Sequence, residues 1–302
     1  GTGTAFGILT RLRATWGEEV EIVTADINPA HLVTASVLAD HHVEVPPCTD
    51  AAFVPALQQV IEAHEIGTYV PLLNAELRQA HALSLKLPGC DVWSSPEAAL
   101  LVGSKKAAAD WLGGLGLNVP PSLGNDVIDP DGIYFAKPDD GSGSHGARRV
   151  AGYEALKLDR AEYLVQPVCI GPEITVDSFF DAATGNSRAI ARERIEVKSG
   201  VSTKARVYED SALSEIAKRI GEGLRQRGTI CFQVMQLNGE YAVTDLNFRP
   251  GAGTALTVAT GIDLISAAFA CRWGEEYDAY LMNELPPQGL FVTRQYAEFV
   301  MP

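Results

Sequence analysis

Three stretches of this 302-residue chain combine residue types that can handle phosphate and carboxylate groups. The first is Tyr134-Phe-Ala-Lys137-Pro138-Asp-Asp-Gly141-Ser142-Gly143-Ser144-His-Gly146. A strand delivers a lysine there, then a loop of small residues whose backbone N–H groups can approach an anion closely. A surface turn with an incidental lysine fits the same letters, and the G-K-[ST] ending of an ordinary P-loop is absent. The second stretch, Thr229 to Gly251, holds Gln233 and then Asp245, Asn247 and Arg249 at alternate positions. Alternation along a strand puts the last three on one face. Magnesium is a hard cation that takes oxygen ligands, and an arginine beside it can clamp a phosphoryl or acyl-phosphate oxygen. The third stretch is Ala191-Arg192-Glu-Arg194-Ile-Glu-Val-Lys198-Ser-Gly200. Its basic residues share a face. They face either a carboxylate or a γ-phosphate, or simply Glu193 and Glu196.

The turn at Asn238-Gly239 decides whether Gln233 joins the acidic strand. A two-residue turn pairs Leu237 with Glu240 and sends Gln233 to the face opposite Asp245. A three-residue turn with Gly239 in a left-handed bulge pairs Gln236 with Glu240 and unites Gln233, Asp245 and Asn247. A metal site that includes Gln233 requires the second register.

The elements that must hold these residues fall into two kinds. Over the first ninety or so residues, short apolar runs (Val20–Thr24, Thr68–Leu72) alternate with amphipathic stretches. Among these is a helix expected over Asp50–His64 with Asp50 as its N-cap. This is an α/β pattern with a parallel sheet. The opening Gly1-Thr-Gly3-Thr-Ala-Phe-Gly7 reads as a strand-to-helix turn. It either cradles a dinucleotide phosphate, with Asp26 on a ribose, or is a close-packed turn. Ser104 to Leu115 reads as a helix ending near Gly113-Gly114. From about Ile133 strands dominate: Tyr134–Lys137, Tyr163–Val168, Ile174–Phe180, then a helix over Ser211–Arg227 and a hairpin of Cys231–Leu237 with Tyr241–Leu246. The architecture is α/β followed by α+β, with no internal repeat.

Composition narrows the function. A formal net charge of -14 argues against a general nucleic-acid binder, which needs a basic surface. No apolar run of about 18 residues suggests a membrane span, and no secretory leader is visible. Five cysteines without a C-x-x-C pair suit neither a zinc site nor a small disulfide framework. Reduced thiols in the cytoplasm are the expectation.

The ordered stretches resemble the ATP-grasp superfamily, nearest to carbamoyl phosphate synthase large subunits and related carboxylate–amine ligases. KPDDGSGSHG looks like the lid loop of that family. The resemblance implies that Lys137, Gly141, Ser142, Gly143 and Ser144 contact the triphosphate, and that Lys105, which opens a helix after Ser104, also reaches the nucleotide. Tyr163-Leu-Val-Gln166-Pro167-Val168-Cys-Ile-Gly171-Pro-Glu173 resembles the adenine-reading segment, with Glu173 on the ribose. An extended backbone edge suits adenine because N–H and C=O alternate along it. Relatives usually carry glutamate where Gln166 stands. The hairpin resembles the metal ribbon, implying Gln233, Asp245 and Asn247 as ligands of one or two magnesium ions, with manganese as a substitute. Position 245 is usually glutamate, so Asp245 is one methylene short. Arg249, Arg194 and Arg192 are the implied catalytic cations.

The resemblance spans nearly the whole chain. It implies a Rossmann-like pre-ATP-grasp domain over residues 1–95 and an ATP-grasp domain over 96–302, with a lid at about 119–165 and a C-terminal mixed-sheet subdomain. It implies an ATP- and magnesium-dependent ligase that activates a small carboxylate as an acyl phosphate for attack by an amine, and leaves room for a homodimer. Other readings are a subunit of a split carbamoyl phosphate synthase, a non-catalytic ATP-binding protein of the same fold, and, more remotely, an NAD-dependent oxidoreductase built on the opening glycines.

Overall fold

The structure, a computed structural model, describes residues 2–84, 89–93, 95–140, 146–198, 200–295 and 297–301. The glycine loop residues Gly141 to Ser144 lie outside the described residues. The chain opens with helix α1 (Gly3–Trp16), whose N-terminus is capped by Thr2 Oγ1 accepting from the Ala5 amide (3.2 Å). Strands β1 (Val23–Asp26) and β2 (His41–Glu44) pair in parallel. Helix α2 (Phe53–Ala63) leads to β3 (Thr68–Tyr69), and α3 (Asn74–Ser84) leads to β4 (Asp91–Val92), which pairs with β3 in parallel. Parallel pairs joined by helices are the arrangement expected from the alternating pattern. The start of α2 differs from expectation. Asp50 Oδ1 accepts from the Ala52 amide (2.8 Å), so it closes a turn, and the helix begins at Phe53.

Two helices then lead out of this region: α4 (Pro96–Leu101) and α5 (Lys105–Gly114). Ser104 caps α5, its Oγ accepting from the Ala107 amide (3.0 Å). A three-stranded antiparallel sheet comes next, with β5 (Ile133–Pro138) between β6 (Arg148–Ala151) and β7 (Tyr163–Pro167). The short α6 (Gly152–Ala155) packs beneath it, and Ile128, Ala136, Val150, Ala155 and Val165 form its own small core.

The largest layer is a six-stranded sheet ordered β12-β11-β8-β9-β10-β13. Its strands are β8 (Ile170–Asp181), β9 (Ser187–Lys198), β10 (Val201–Tyr208), β11 (Arg227–Leu237), β12 (Glu240–Asn247) and β13 (Leu290–Thr293). Helix α7 (Ser211–Leu224) covers one face, burying Leu213, Ala217, Ile220 and Leu224 against Val176, Ala191 and Phe232. It ends three residues before the expected Arg227, because Arg225 turns left-handed (φ 48°) and the chain enters β11. Gly221 on α7 lies against the Phe180 ring, where any Cβ would collide. The opposite face meets α9 (Leu264–Trp273), which carries the chain on after the short α8 (Thr254–Val258) and before α10 (Asp278–Leu281). There Phe179, Ile190 and Val207 pack with Leu264, Phe269 and, from α1, Ile8 and Leu9. Helix α9 is buried nearly all round because it is sandwiched between the sheet and α1. Among the described residues, no helix is long and apolar enough to cross a membrane.

The β11–β12 hairpin corrects one expectation. Its turn has two residues, with Asn238 and Gly239 both left-handed (φ 54° and 86°), and it pairs Leu237 with Glu240. That is the register expected to separate Gln233 from Asp245. A β-bulge at Thr244 intervenes: Val234 pairs with Val243, but Gln233 pairs with Asp245 and Cys231 with Asn247. One extra residue shifts the face of everything beyond it. The bulge therefore does what the three-residue turn was expected to do.

Candidate active site

A cleft of about 410 Å3 opens between the three-stranded sheet and the β11–β12 hairpin, with α5 and the start of α3 on its rim. Lys137 comes from the end of β5, and Gln166 to Cys169 from β7 and its exit. Gln233, Asp245 and Asn247 come from the hairpin, and Arg249 from the segment just past it. Four cations (Lys105, Lys137, Arg149, Arg249) line it against three acids (Asp139, Glu173, Asp245). In a chain of formal charge -14 this is a local reversal of sign, suited to an anionic ligand.

The Thr244 bulge also sets the position of Lys137. Lys137 Nζ donates to the Thr244 carbonyl (2.7 Å), while only 8% of the residue is exposed. Burial pushes its pKa down, opposed by the neighbouring Asp245 carboxylate. Asn247 Nδ2 donates to Asp245 Oδ2 (3.1 Å). Gln233, paired across from Asp245, adds a third oxygen-bearing side chain. A carboxylate and two carboxamides on one ribbon face form an oxygen donor set of the kind that hard divalent cations take.

The root of the glycine loop is fastened on two sides. Asp139 accepts from Ser104 Oγ (3.0 Å) and from the Lys106 amide (2.8 Å), so it caps α5 from another strand. Lys105 Nζ in turn donates to the Pro138 carbonyl (3.2 Å). Asp140 pairs with Arg78 of α3 (2.8 Å). These two aspartates passed as loop filler in the sequence. The signal was there in Asp139 lying next to the lysine-proline pair, but its partner is 33 residues away along the chain.

Residues 159–287 match the family model described as ATP-grasp in the biosynthetic pathway with Ter operon. No curated protein matches the sequence. Among solved structures, Rhizobium etli pyruvate carboxylase superposes with a TM-score of 0.74 at 15% identity, over 93% of this chain and 29% of that one. The biotin carboxylase domain of Hydrogenobacter thermophilus 2-oxoglutarate carboxylase gives 0.71 at 14% identity, over 93% of this chain and 69% of that one. N5-carboxyaminoimidazole ribonucleotide synthetase from Thermus thermophilus gives 0.70 at 15% identity, over 92% and 79%. The family match is confined to residues 159–287, and the chain as a whole shares the fold of these ATP-grasp enzymes. It thus spans less than a third of the pyruvate carboxylase chain and more than two thirds of the other two.

Within this ATP-grasp fold, the expected site residues divide. Lys105, Lys137, Gln166, Pro167, Val168, Glu173, Gln233, Asp245, Asn247 and Arg249 all line the one cleft. Arg192 and Arg194 do not. They share a face of β9 as expected, but that face looks across to acids of β8. Arg192 is 2% exposed and holds Asp177 through Nε (3.1 Å) and Nη2 (3.3 Å). Asp177 also accepts from Thr254 Oγ1 (2.8 Å) and Thr257 Oγ1 (2.5 Å). Arg192 is thus a buried structural cation, which corrects its expected place against substrate. Arg194 pairs with Glu173 and donates to the Gly200 carbonyl (2.9 Å), so it orients the cleft acid and stays outside the cleft itself. Glu193 and Glu196, the alternative partners weighed from sequence, pair with Arg206 and with Lys198 and Lys204.

Gln166 explains its own departure from the usual glutamate. Its side chain is 3% exposed, and Nε2 donates to the Pro120 carbonyl (2.7 Å). A carboxylate has no proton to offer there, whereas an amide has two. Arg249 donates to the Pro250 carbonyl through Nη1 (3.1 Å), and its buried Nε has no partner among the described residues. Sequence reasoning missed Arg149 and Asn74, which complete the cleft wall. Asp26, weighed as a ribose ligand, lies outside the cleft and closes an Asx turn onto the Asn28 amide (3.0 Å).

Proposed function

We propose that the protein is an ATP- and magnesium-dependent ligase that activates a carboxylate as an acyl phosphate for capture by an amine. The observation that carries this reading is the hydrogen bond from Lys137 to the carbonyl of the bulge residue Thr244, which places a cation against the ribbon bearing Asp245 and Asn247. Related folds support the nucleotide: the 2-oxoglutarate carboxylase domain is described with MgADP and bicarbonate, and a Campylobacter jejuni biotin carboxylase as a β-γ-ATP complex.

In this reading Lys137 and Lys105 neutralise phosphate oxygens, and the Pro167–Val168 backbone reads adenine. Glu173, held by Arg194, meets the ribose, and the loop Gly141 to Ser144 contacts the phosphates. The side chain of Gln166 is left out, being committed to Pro120. Gln233, Asp245 and Asn247 fit a magnesium ion by donor type, and such an ion supplies charge neutralisation at the transferring phosphoryl group. A substrate carboxylate oxygen attacks the γ-phosphorus and the bond to the bridging oxygen breaks, releasing ADP. The amine nitrogen then attacks the acyl carbon and phosphate departs with the C–O bond. In this reading the Arg249 Nε, unpartnered among the described residues, meets an oxyanion of the carboxylate or the acyl phosphate.

The domain reading that accompanies this is a Rossmann-like pre-ATP-grasp domain over residues 1–95 and an ATP-grasp domain over 96–302, with a lid at about 119–165. It is supported by the parallel pairs of the first region and the separate small core of the lid sheet. The test is ADP release, coupled to a spectrophotometric readout, over a panel of amino acids and small acids. Lys137→Ala and Asp245→Asn serve as controls. The reading requires acceptor-dependent turnover in the wild type and its loss in both variants. Equal turnover in all three would remove it.

A further inference from the structure

Away from the cleft, Glu21, His41 and His64 bring one carboxylate oxygen and two imidazole nitrogens to within 4.8 Å of one another. This is the one such trio of ligating side chains among the described residues. The three come from separate elements: Glu21 just before β1, His41 at the start of β2, and His64 as the C-cap of α2. Their sequence spacing carries no motif, so the pattern is invisible until the chain folds.

We infer that these residues form a binding site for a divalent transition metal, with zinc chemistry as the best match. Imidazole and carboxylate donors suit zinc, copper, nickel and cobalt. A tetrahedral zinc with bonds of about 2.0–2.1 Å needs donor atoms roughly 3.3–3.4 Å apart. His41 Nε2 and Glu21 Oε1 already stand 3.3 Å apart. The rings of His41 and His64 lie 4.9 Å apart at 40°, close enough that side-chain rotation brings the third donor in. Glu21 and His41 are about half exposed, which leaves a fourth position for water.

The backbone beneath the trio is held without a metal. Asp40, next to His41, accepts from the Ile22 amide (2.7 Å), and the Ile22 carbonyl accepts from the amides of Asp40 (2.8 Å) and His41 (3.2 Å). This clasp locks the residues following Glu21 to those bearing His41. His64 is fixed where α2 ends, its amide donating to the Val60 carbonyl (3.1 Å), with Glu65 left-handed behind it. The nearby cation Arg13 is committed to Asp40 and to the carbonyls of Leu38, Gly17 and Val20, so it does not compete for Glu21. Only side-chain rotamers need to be ordered on binding, which keeps the entropic cost small. None of these three residues lines the nucleotide cleft.

The test uses the whole chain, stripped of metal and kept free of nucleotide. Cobalt(II) is titrated in and followed by its visible absorption, with zinc added as the competitor. The expected result is one equivalent of cobalt giving a spectrum of low coordination number, displaced by zinc. His41→Ala and His64→Ala should each weaken binding at least tenfold, and Glu21→Gln should weaken it less. Asp245→Asn, in the nucleotide cleft, should leave it unchanged. Circular dichroism checks that the variants stay folded, which half-exposed substitutions favour. Absence of binding at micromolar metal overturns the site, as does unchanged affinity in both histidine variants, the outcome expected if cysteine thiols were the ligands.

Discussion

Lys137 Nζ and the Thr244 carbonyl oxygen lie 2.7 Å apart, joining the end of strand β5 in the three-stranded sheet to the one irregular residue of the β12 strand. A regular strand would send that carbonyl into the ladder. The bulge frees it for the lysine and, at the same stroke, brings Gln233 opposite Asp245. Deleting Thr244 removes the extra residue itself, so Gln233 stays opposite Asp245, but Lys137 loses its acceptor and with it the tie between the two sheets. We expect kcat/KM for ADP release to fall on the order of 100-fold or more. Circular dichroism should stay near that of the wild type, because the hairpin turn and the β11–β8 ladder are untouched. A deletion variant with wild-type turnover would show that the bulge has no part in the site.

Gln166 invites the opposite of a restorative mutation. The ATP-grasp resemblance leads one to expect glutamate there, yet Gln166→Glu should harm this protein. The new carboxylate would face the Pro120 carbonyl with no proton between them, inside a 3% exposed position. Loss of a buried hydrogen bond together with an unpaired buried charge costs about 3 kcal/mol. The melting temperature should fall by several degrees, most steeply above neutral pH where the carboxylate is ionised. Gln166→Met should destabilise less, since it removes the donor without burying a charge. Thermal melts of the three proteins at two pH values check the order.

The contrast between these residues shows what could be read from the chain before it folded. Lys137, Asp245 and Asn247 were legible because strand alternation and the lysine-proline-glycine string are local. The α/β opening was legible from apolar period in kind but not in bounds: β1 runs Val23–Asp26 where Val20–Thr24 was expected, β3 keeps only Thr68–Tyr69 of Thr68–Leu72, and α2 starts after the Asp50 turn, while later in the chain α7 stops where Arg225 turns the backbone. Gln233 was legible only as a conditional, since its face depended on a bulge that no turn residue announces. Arg192 and Arg194 were placed on the right strand face but against the wrong partners. The acids that claim them belong to β8, and pairing between strands is set by the fold as a whole. The second-strand cap from Asp139 to α5 was hidden for the same reason.

That reassignment separates two arginines that look alike in sequence. Arg192→Ala leaves Asp177 charged in a position with no exposure, and breaking such a buried pair costs about 3–5 kcal/mol. Urea or thermal denaturation should show the loss, with little soluble protein at 37 °C. Arg194→Ala acts on Glu173, which is one-third exposed, so its stability should change by under about 1 kcal/mol. Its effect should appear in KM for ATP, raised several-fold with kcat nearly kept. If Arg194→Ala instead lowered kcat with KM unchanged, that arginine would be acting on the reacting groups directly.

Lys137 also carries a prediction about pH. Burial favours its neutral form, so its pKa lies below that of an ordinary lysine at about 10.4. A group that must be protonated to bind phosphate loses that ability as pH rises through its pKa. Nucleotide affinity should therefore decline as pH rises, earlier than an exposed lysine would allow. The neighbouring Asp245 pulls the pKa back up, so Asp245→Asn should move the decline to still lower pH, while Lys105, a like charge, acts in the other direction. Lys137→Arg keeps its charge throughout the accessible range and should abolish the decline even where its fit reduces affinity. Equilibrium binding of a non-hydrolysable ATP analogue from pH 7 to 10.5 measures all three. An alkaline limb that persists unchanged in the arginine variant would assign the titration to another group.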